Sequence, residues 1–427
     1  MNDFQDVTRR DFIKGSVIAG TVLSGMGIPA VWGQESSRPL RVALIGCGGR
    51  GNRDLDNMVK AAGLIKAPIE VHAVADIFED RAQRTAEKHG VPVARRFIGF
   101  DAYHKVLATD ADLVMLITSP NFRPLHFEAA VAAGKHVFME KPVAVDPPGA
   151  RKIIEVGEAA SKKNLGVLAG TQRRHSAAYR RNQFAVEHGA IGPILGGTVS
   201  WCGGRLWFKE RNPGESSASY LVRNWVSFTE MSGDHIVEQH VHNLDVANWF
   251  IGRPPRWALG FGARVRRQTG NQNDFFSVDY DYGDGVHIHS MCRQISGCYT
   301  RVSEFFRGPN GSVWGGGKVE STKPFDIDMP EMPSHAEDEN VQEFVDLLLS
   351  LRDGRPFNES RQVAEATLTA IMGRISAYTG QLVRWEDLTE NADSPWYDLR
   401  LQPAADGFET GDVEAPPDDV GDIPGTA

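Results

Sequence analysis

The sequence predicts an α/β domain with a parallel sheet, followed by an α+β domain with an open, mainly antiparallel sheet. Two observations predict this order. Between residues 40 and 170, short apolar runs alternate with helical stretches of 10 to 16 residues, which is typical of a parallel sheet covered on both faces. After about residue 170, longer segments alternate apolar and polar residues, as strands with one buried face do. The 427 residues are enough for two or three domains with full hydrophobic cores.

The first domain is expected over residues 38–170. Its strands are short and rich in Val, Ile, Leu and Ala, and five are predicted: Arg41–Ile45, Ile69–Ala75, Leu113–Ile117, His136–Met139 and Val167–Ala169. Amphipathic stretches between these strands predict helices, among them Asp80–His89, Pro124–Ala133 and Pro148–Lys163. This alternation of strand and helix makes the sheet parallel.

The second domain is expected over residues 171–390. Five strands are predicted there: Ile194–Trp201, Trp257–Val265, Phe275–Tyr282, Val286–Met291 and Tyr299–Phe306. The glycines of Tyr282-Gly-Asp-Gly-Val286 suit a hairpin turn, because glycine tolerates positive φ. Two amphipathic helices, Ala336–Leu351 and Ser360–Tyr378, are expected to follow.

Charge and cysteine content exclude several classes of protein. The chain has 46 Lys and Arg against 55 Asp and Glu, a formal charge of −9, so capture of nucleic acid is not expected. Residues 391–427 form an acidic tail rich in Pro and Gly, which we expect to wrap a surface or to be disordered. The four cysteines form no C-x-x-C pair and are too sparse for a disulfide framework.

Residues 1–34 have the features of an export signal. Thr8-Arg9-Arg10-Asp11-Phe12-Ile13-Lys14 precedes an uncharged segment softened by glycines, which resembles a twin-arginine signal, and cleavage is expected within 30–34. The segment is too poor in Leu, Ile and Phe for a stable membrane anchor. We therefore expect a periplasmic or otherwise exported protein that uses the twin-arginine translocation machinery. Because that route carries folded proteins, a tightly held cofactor is expected.

A dinucleotide fingerprint follows the first strand. Gly46-Cys-Gly48-Gly49-Arg50-Gly51 is a G-x-G-x-x-G that opens a helix, so the first domain is predicted to be a Rossmann dinucleotide-binding domain. Its glycines allow a tight turn, approach of the pyrophosphate and close helix packing, and the helix N-terminus favours phosphate. Asp76 ends the next strand, where an acid binds the adenosine ribose and repels a 2′-phosphate. NAD is therefore preferred over NADP.

The strand His136–Met139 ends in Glu140-Lys141-Pro142, at the edge of the sheet where ligands bind. The fingerprint, this turn and the later antiparallel domain together resemble the Gfo/Idh/MocA oxidoreductases over about residues 38–390, in particular their exported bacterial branch. The resemblance implies that Lys141 contacts cofactor and substrate and takes part in proton transfer, and that Glu140 belongs to the cofactor site. It also implies cofactor contacts at Ser119, Asn121 and His126, and substrate contacts at Arg173 and His175. Arg173, Arg174 and His175 could equally form structural ion pairs.

A polar stripe is predicted on a helix over residues 233–249. His235, Glu238, His242 and Asp245 are spaced by three or four residues and should share one face. The resembling family has Asp and His at the positions of Glu238 and His242 as substrate-binding and proton-relay residues, so Glu238 is a departure. We expect His242 to be catalytic with Glu238, and Asp245 to bind substrate or orient the imidazole. A buried polar network is the alternative.

Metal binding is a further alternative for the same region. His240 and His242, with His287 and His289 on a strand, could surround an ion near Glu238. However, residues two apart on a helix point in different directions, so no metal site is assigned.

The sequence is interpreted as an exported NAD-dependent oxidoreductase that acts on the CH–OH group of a sugar, sugar derivative or polyol, a substrate class that comes from the resemblance. Lys141 and His242 would handle the proton. Trp201, Trp207, Phe208 and Trp225 could stack on a sugar ring, or could pack in the core. Two alternatives stay open: a hydrolase or lyase that oxidises its sugar transiently with no net redox change, and a catalytically silent binding protein. The family resemblance also predicts a homo-oligomer.

Overall fold

A computed structural model describes residues 38–322, 334–411 and 413–417. The export signal predicted for residues 1–34 and the end of the acidic tail lie outside these residues. None of the helices in the described ranges is long and apolar enough to cross a bilayer.

The first sheet is parallel and has six strands in the order β3-β2-β1-β4-β5-β6. The strands are β1 Leu40–Ile45, β2 Ile69–Asp76, β3 Arg96–Ile98, β4 Leu113–Leu116, β5 His136–Met139 and β6 Val167–Ala169. The five predicted strands are all present. The sixth, β3, was not predicted, because three residues at a sheet edge are too few to show a hydrophobic period.

Five helices accompany this sheet: α1 Gly49–Leu64, α2 Glu79–His89, α3 Ala102–Leu107, α4 Arg123–Ala132 and α5 Pro147–Lys162. Both faces of the sheet are buried, since alternate residues of β1 pack in two different apolar clusters. Ala43 and Ile45 pack in one cluster, while Val42 and Leu44 pack in the other. The doubly covered parallel sheet predicted from the sequence is therefore confirmed.

The second sheet has eight strands in the order β13-β12-β11-β7-β10-β9-β8-β14. They are β7 Gly196–Gly203, β8 Trp257–Ala263, β9 Phe275–Asp281, β10 His287–Gln294, β11 Arg301–Gly308, β12 Gly311–Val313, β13 Val319–Ser321 and β14 Val383–Arg384. Neighbouring strands are antiparallel except β7 and β10, which pair in parallel. The mainly antiparallel sheet is thus confirmed, with one parallel pair that the sequence pattern could not distinguish.

The remaining helices are α6 Ala177–Glu187, α7 Ser217–Arg223, α8 Thr229–Ser232, α9 His235–Glu238, α10 Val241–Ile251, α11 Glu339–Arg352, α12 Ser360–Thr379, α13 Trp385–Thr389 and α14 Gly407–Thr410. Helix α12 covers one face of the second sheet, where Leu368 and Ile371 pack with Val278. Helix α11 instead packs on the first sheet, where the ring of Phe344 lies 4.7 Å from that of Phe138.

The described part of the tail wraps the surface of both domains. Leu399 and Leu401 are buried after α13, and Phe408 is buried within α14. The guanidinium of Arg151 on α5 donates hydrogen bonds to the carbonyl oxygen of Tyr397 at 2.8 Å and of Leu388 at 2.6 Å. Of the two outcomes expected for the tail, the structure shows the wrapped one for residues 391–411.

Candidate active site

The glycine loop, residues 46–51, joins β1 to α1 in a conformation that side chains would disturb. Gly46 has φ +101°, and a Cβ atom there would lie 2.5 Å from the carbonyl oxygen of Ile117. A Cβ atom at Gly51 would overlap the carbonyl oxygen of Gly46. At Gly49 there is open space instead, and at Gly48 a Cβ atom would meet only the guanidinium of Arg81, at 3.9 Å. The loop therefore packs tightly against the protein at its ends and leaves room for a ligand at its centre, as a dinucleotide requires.

A cavity of about 700 Å³, here called the nucleotide cavity, lies over this loop. Its lining includes the glycine loop, Asp76, Ser119 and His126. Its basic lining side chains are Arg50, Arg53, Arg81, Arg84, Lys209 and Arg223. This excess of positive charge, together with the N-terminus of α1, suits the two phosphates of a dinucleotide.

Asp76 ends β2 at the wall of the nucleotide cavity. Its carboxylate accepts hydrogen bonds from the backbone N–H of Cys47 at 2.7 Å and of Phe78 at 2.8 Å, which fix its orientation. Burial raises the pKa of this carboxyl above its ordinary value. Burial also raises the pKa of the neighbouring Cys47 thiol, so Cys47 is a packing residue rather than a nucleophile.

The loop after β4 brings Ser119, Asn121 and His126 together. The hydroxyl of Ser119 donates to Asn121 Oδ1 at 2.9 Å, while the buried Nδ2 of Asn121 has no partner among the described residues. Burial, reinforced by Arg123, lowers the pKa of His126 to about 3, so its imidazole is neutral. A buried amide without a partner is costly, and a bound ligand with an acceptor group would satisfy it.

Glu140 and Arg50 tie the Glu140-Lys141-Pro142 turn to the first helix. Arg50 Nη2 lies 2.5 Å from Glu140 Oε1, and Arg50 Nε donates to Asp54 at 3.0 Å. Burial, followed by the charge of Glu140, raises the pKa of Asp54 to about 8. In this structure Glu140 thus holds Arg50, which lines the nucleotide cavity, and its own contact with a cofactor stays a prediction.

Lys141 reaches from the first domain to Glu238 in the second. Its Nζ atom donates to the main-chain carbonyl oxygen of Glu238 at 2.5 Å and lies 3.2 Å from the carboxylate oxygen Oε1. The other carboxylate oxygen, Oε2, is buried and has no partner in the described chain. A cation and an unsatisfied acceptor therefore lie together where the two domains meet.

His242 completes this group. Its ring stacks on Trp201 of β7, with centroids 5.7 Å apart and an interplanar angle of 22°. Burial, followed by the positive charges of Lys141 and Arg173, lowers the pKa of His242 well below its ordinary value. The imidazole is consequently neutral at physiological pH and able to accept a proton.

The single helix predicted over residues 233–249 is wrong, and so is its common polar face. The chain forms two helices, α9 and α10, which are separated at Gln239 and His240. His235 turns toward Asp234, with its Nδ1 atom 3.1 Å from the carboxylate, and packs edge-on against Phe276. Only Glu238 and His242 of the stripe remain beside Lys141.

Asp245 does not orient His242. Its carboxylate accepts hydrogen bonds from Arg174 Nε at 2.9 Å and Nη2 at 2.8 Å, a bidentate pair. His175 is also engaged elsewhere, with its Nδ1 atom 2.7 Å from Asp346 and its Nε2 atom 3.3 Å from Glu359. Both side chains are thus used in buried ion pairs, the alternative left open for His175, and their contact with substrate stays a prediction.

Arg173 remains close to the candidate site. It donates to Glu304 at 2.6 Å, and its guanidinium lies 5.7 Å from the centroid of Trp201. Asn243, next to His242 in sequence, donates to the same carboxylate at 2.5 Å. Arg173 therefore borders the residues around His242 and is itself held in place by Glu304.

The histidines of the metal alternative do not converge. His240 Nε2 lies 2.8 Å from the hydroxyl of Ser290, inside the core. His287 and His289 lie on the outer face of β10, where they contact Asp279 and Ser277. Across the described ranges no three His, Cys, Asp or Glu side chains are placed to hold a metal ion.

Several residues of the nucleotide cavity were not predicted as cofactor contacts. Trp207 and Trp225, expected to stack on a sugar or to pack in the core, line this cavity together with residues of both domains: Arg81, Phe100, Tyr103, Phe122, Lys209 and Arg223. The density of aromatic residues between 201 and 228 was the only signal of this wall in the sequence. The position of these aromatic residues at the cavity depends on contacts between residues that are distant in the sequence, so the sequence pattern does not show which ligand they face.

Comparison with known proteins identifies the first domain. Residues 40–170 match the model of the Gfo/Idh/MocA family, described as an oxidoreductase family with an NAD-binding Rossmann fold. The chain is 25% identical over 289 residues to a myo-inositol 2-dehydrogenase of Thermotoga maritima, across 66% of this chain and 77% of the relative. It is 31% identical over 254 residues to an inositol 2-dehydrogenase of Burkholderia cenocepacia, across 58% of this chain and 66% of the relative.

Solved structures share the fold of about four fifths of this chain at lower sequence identity. A WlbA dehydrogenase from Chromobacterium violaceum, in complex with NADH and UDP-GlcNAcA, has a TM-score of 0.63 at 22% identity and covers 82% of this chain and 96% of its own. A levoglucosan dehydrogenase in complex with NADH and levoglucosan has a TM-score of 0.64 at 15% identity and covers 81% of this chain and 99% of its own. At these identities the likeness establishes the fold alone.

Proposed function

Since residues 40–170 form the NAD-binding Rossmann domain of the Gfo/Idh/MocA oxidoreductase family, we propose that the chain is an NAD-dependent dehydrogenase that oxidises a CH–OH group of a sugar, sugar derivative or polyol. The observation that carries the proposal is the contact of Lys141 with Glu238, beside which His242 is a neutral imidazole that feels the charge of the lysine. The substrate class is supported by the inositol dehydrogenases among the relatives.

The glycine loop and Asp76 fit NAD. The space beside Gly48 and Gly49, bordered by the guanidinium of Arg81, accommodates the pyrophosphate, and Asp76 offers its remaining lone pairs to the ribose hydroxyls. The unsatisfied amide of Asn121 gives a further polar contact. When bound, NAD⁺ supplies the acceptor for the hydride that leaves the substrate carbon.

The chain's own residues manage the hydroxyl proton. His242 accepts this proton. Burial and the charges of Lys141 and Arg173 keep its imidazole unprotonated, so a nitrogen lone pair is free at neutral pH. Lys141 donates a hydrogen bond to the substrate oxygen and stabilises the negative charge that develops as the proton leaves. To do so its ammonium exchanges one of its bonds to Glu238 for the substrate, while the other keeps it in position.

Glu238 positions the substrate as well as the lysine. The free oxygen Oε2 can accept a hydrogen bond from a neighbouring hydroxyl of the substrate. Trp201 supports the ring of His242 from behind and fixes the direction of its imidazole. A substrate with adjacent hydroxyl groups matches this pair of a base and an acceptor.

The decisive experiment measures oxidation and NAD binding together. Purified protein is assayed with NAD⁺ and a panel of polyols that includes myo-inositol and glucose, with and without an artificial electron acceptor. We expect oxidation of at least one polyol, and a loss of about 100- to 10,000-fold in kcat for Lys141→Met with NAD still bound. Oxidation unchanged in Lys141→Met would contradict the proposed site.

Lys135→Met is the matched control. Lys135 precedes the same strand β5 at its other end, where its ammonium donates to the carbonyl oxygens of Thr109 and Ala111 at 2.8 Å. It carries the same charge but lies away from the carboxyl edge of the sheet. The control should therefore keep the activity of the unmodified protein.

Export is a separate part of the proposal. Its support is the sequence Thr8-Arg9-Arg10-Asp11-Phe12-Ile13-Lys14 and the uncharged segment that follows it. Residues 1–40 fused to a reporter that folds in the cytoplasm should direct it across the membrane, and replacing Arg9 and Arg10 by Lys should stop this. Transport that survives the double replacement would contradict a twin-arginine signal.

A homo-oligomer is proposed through the open face of the second sheet. On β8 the residues Leu259 and Phe261 are exposed by 46% and 65%, while Ala258 and Gly260 face α12. Burial of such a face against a second copy would stabilise the assembly. Light scattering should give a mass above one subunit, and Phe261→Glu should reduce it; a monomeric unmodified protein would contradict the proposal.

A further inference from the structure

Residues of the second domain form part of the wall of the nucleotide cavity. Trp207, Lys209, Val222, Arg223 and Trp225 line it opposite the first domain. These residues are here called the covering wall. Two of them, Val222 and Trp225, pack against the same apolar cluster as Phe100, which follows Gly99 after the end of β3. Because the backbone N–H of Gly99 donates to the carbonyl oxygen of Asp76 at 3.3 Å, this is the end of the cavity where the adenosine ribose is expected.

The covering wall is a built structure. Asn224 joins its two segments. The Oδ1 atom of Asn224 accepts a hydrogen bond from the backbone N–H of Lys209 at 2.8 Å, and its Nδ2 atom donates to the carbonyl oxygen of Lys209 at 3.0 Å. Asn224 is fully buried. The rings of Trp207 and Trp225 meet edge to face with centroids 6.2 Å apart. Asn224 thus ties the segment that carries Trp207 to the segment that carries Trp225.

Nearly half of the surface of Trp207 is not covered by other residues. The residue is 47% exposed although it lines a cavity. A large aromatic side chain that is fixed at its base and uncovered on its face is suited to stack on a planar base. The adenine of a dinucleotide whose ribose binds Asp76 is the planar group that this end of the cavity would receive.

A segment of the tail fastens the covering wall to the first domain. This segment, here called the strap, comprises residues 404–411. Its Phe408 is 1% exposed and contacts Phe122 edge-on with centroids 4.9 Å apart, and Phe100 at 5.5 Å. Both of these rings line the nucleotide cavity. Phe408 also belongs to the apolar cluster that contains Leu221 and Phe228 of the second domain.

A hydrogen bond adds to this apolar contact. The hydroxyl of Tyr103, on α3 of the first domain, donates to Glu409 of the strap at 2.8 Å. Tyr103 lines the nucleotide cavity and stacks near His126 with centroids 4.4 Å apart. The strap therefore contacts both domains at the rim of the cavity, and moving it disturbs both walls.

We propose that the covering wall binds the adenosine half of the dinucleotide, with adenine stacked on Trp207, and that the strap holds this wall shut so that the dinucleotide remains bound through successive turnovers. The inference rests on the proposed function, because it assigns residues to the same cofactor. Release then requires Phe408 to leave its cluster, which makes the dissociation rate, rather than the association rate, the quantity under control.

The test measures dissociation directly. Protein loaded with radiolabelled NAD⁺ is mixed with a large excess of unlabelled NAD⁺, and the label that stays on the protein is followed by rapid gel filtration. In the unmodified protein we expect release to be slower than kcat. In Phe408→Ala release should be faster by at least about tenfold, and Phe408→Leu should restore most of the retention.

Leu399→Ala is the matched control. Leu399 lies in the same tail and is buried like Phe408, with 5% of its surface exposed. It packs with the core of the second domain rather than at the cavity. It should lose stability without changing the release rate. Melting temperatures of all variants with NAD⁺ bound separate loss of folding from loss of retention.

The outcomes distinguish this inference from the proposed function. Equal release rates in the unmodified protein and Phe408→Ala, with normal NAD binding and polyol oxidation, would overturn the strap and leave the dehydrogenase intact. Absence of NAD binding in the unmodified protein would overturn both. For the covering wall, Trp207→Ala should weaken NAD⁺ binding while nicotinamide mononucleotide, which lacks adenosine, binds equally to both proteins. Equal NAD⁺ affinity would overturn the role of Trp207.

Discussion

Lys141 is held by the main chain of Glu238 more closely than by its side chain: the distance from Nζ is 2.5 Å to the carbonyl oxygen and 3.2 Å to the carboxylate. This carbonyl lies at the end of α9, where a helix leaves acceptors without internal partners. The position of the lysine is therefore set by the backbone of the second domain. The carboxylate is left partly available for other bonds.

The first prediction concerns Glu238→Gln. The main-chain contact to Lys141 survives this change, so the lysine keeps its place, but the acceptor for a substrate hydroxyl is weakened. We expect KM for the polyol to rise and kcat to fall by less than about tenfold, well below the loss in Lys141→Met. Steady-state kinetics of both variants with the same polyol decide this. A loss in kcat as large as that of Lys141→Met would show that the carboxylate is needed for proton transfer.

The second prediction is the acidic limb of the pH profile. Because burial and its cationic neighbours lower the pKa of His242, the imidazole stays neutral well below the ordinary value of about 6.5. We therefore expect kcat/KM to stay constant as the pH falls from about 8 to about 6, where an ordinary histidine base would already lose activity. Arg173→Gln removes one of those cations and should move the limb to higher pH. A limb near pH 6.5 in the unmodified protein would contradict the neutral-base assignment.

The third prediction links stability to His175. Although burial disfavours the charged imidazole, Glu359 and Asp346 raise its pKa to about 9. An unfolded histidine has a pKa of about 6.5, so this stabilisation is complete below about pH 6.5 and is lost as the pH rises through 9. The loss is on the order of 3 kcal/mol in the free energy of unfolding. Denaturant unfolding at several pH values should show it, and His175→Gln, which has no proton to lose, should lack this dependence.

The fourth prediction concerns cofactor choice. In the proposed binding mode Asp76 places a carboxylate where the 2′-phosphate of NADP would lie, while Arg81 and Arg84 line the same cavity. Asp76→Ser removes the repulsion and leaves the two arginines. The ratio of kcat/KM for NADP⁺ to that for NAD⁺ should rise at least about tenfold, since a like-charge contact costs more than 1 kcal/mol. An unchanged ratio would show that Asp76 does not face the 2′ position.

The first domain could be predicted from the sequence because its signals are local. Each strand is a short apolar run, and the glycines of residues 46–51 are required by the backbone that joins β1 to α1. Lys141 could be placed at the edge of the sheet for the same reason, since it directly follows β5. These features depend on residues close to one another in the chain.

The polar stripe from His235 to Asp245 could not be predicted correctly from local signals. A helical period places His235 and Asp245 on the same face as His242, but the chain turns at His240, whose ring is buried against Ser290 of β10. Asp245 then meets Arg174, which is 71 residues away in sequence. The break and the ion pair both depend on partners that the local pattern does not contain.

The position of Trp207 at the wall of the nucleotide cavity also depends on partners that are distant in the sequence. Its cluster of aromatic residues was visible in the sequence, yet a tryptophan in a loop can serve a sugar, a core or a cofactor equally well. The strap was visible only as the beginning of an acidic tail. Their position over the nucleotide cavity follows from the packing of Phe408 between two domains.

A dinucleotide retained by the strap would make each subunit a two-electron store with its own redox state. Once reduced, that subunit would be unable to oxidise a second polyol until something small enough to enter beside Lys141 and His242 took the electrons back. Donor and acceptor would then use one entrance in turn, and double-reciprocal plots at several acceptor concentrations would be parallel lines. If the oxidised sugar itself took the electrons back, the cycle would close within a single visit of the substrate, and no external acceptor would be consumed.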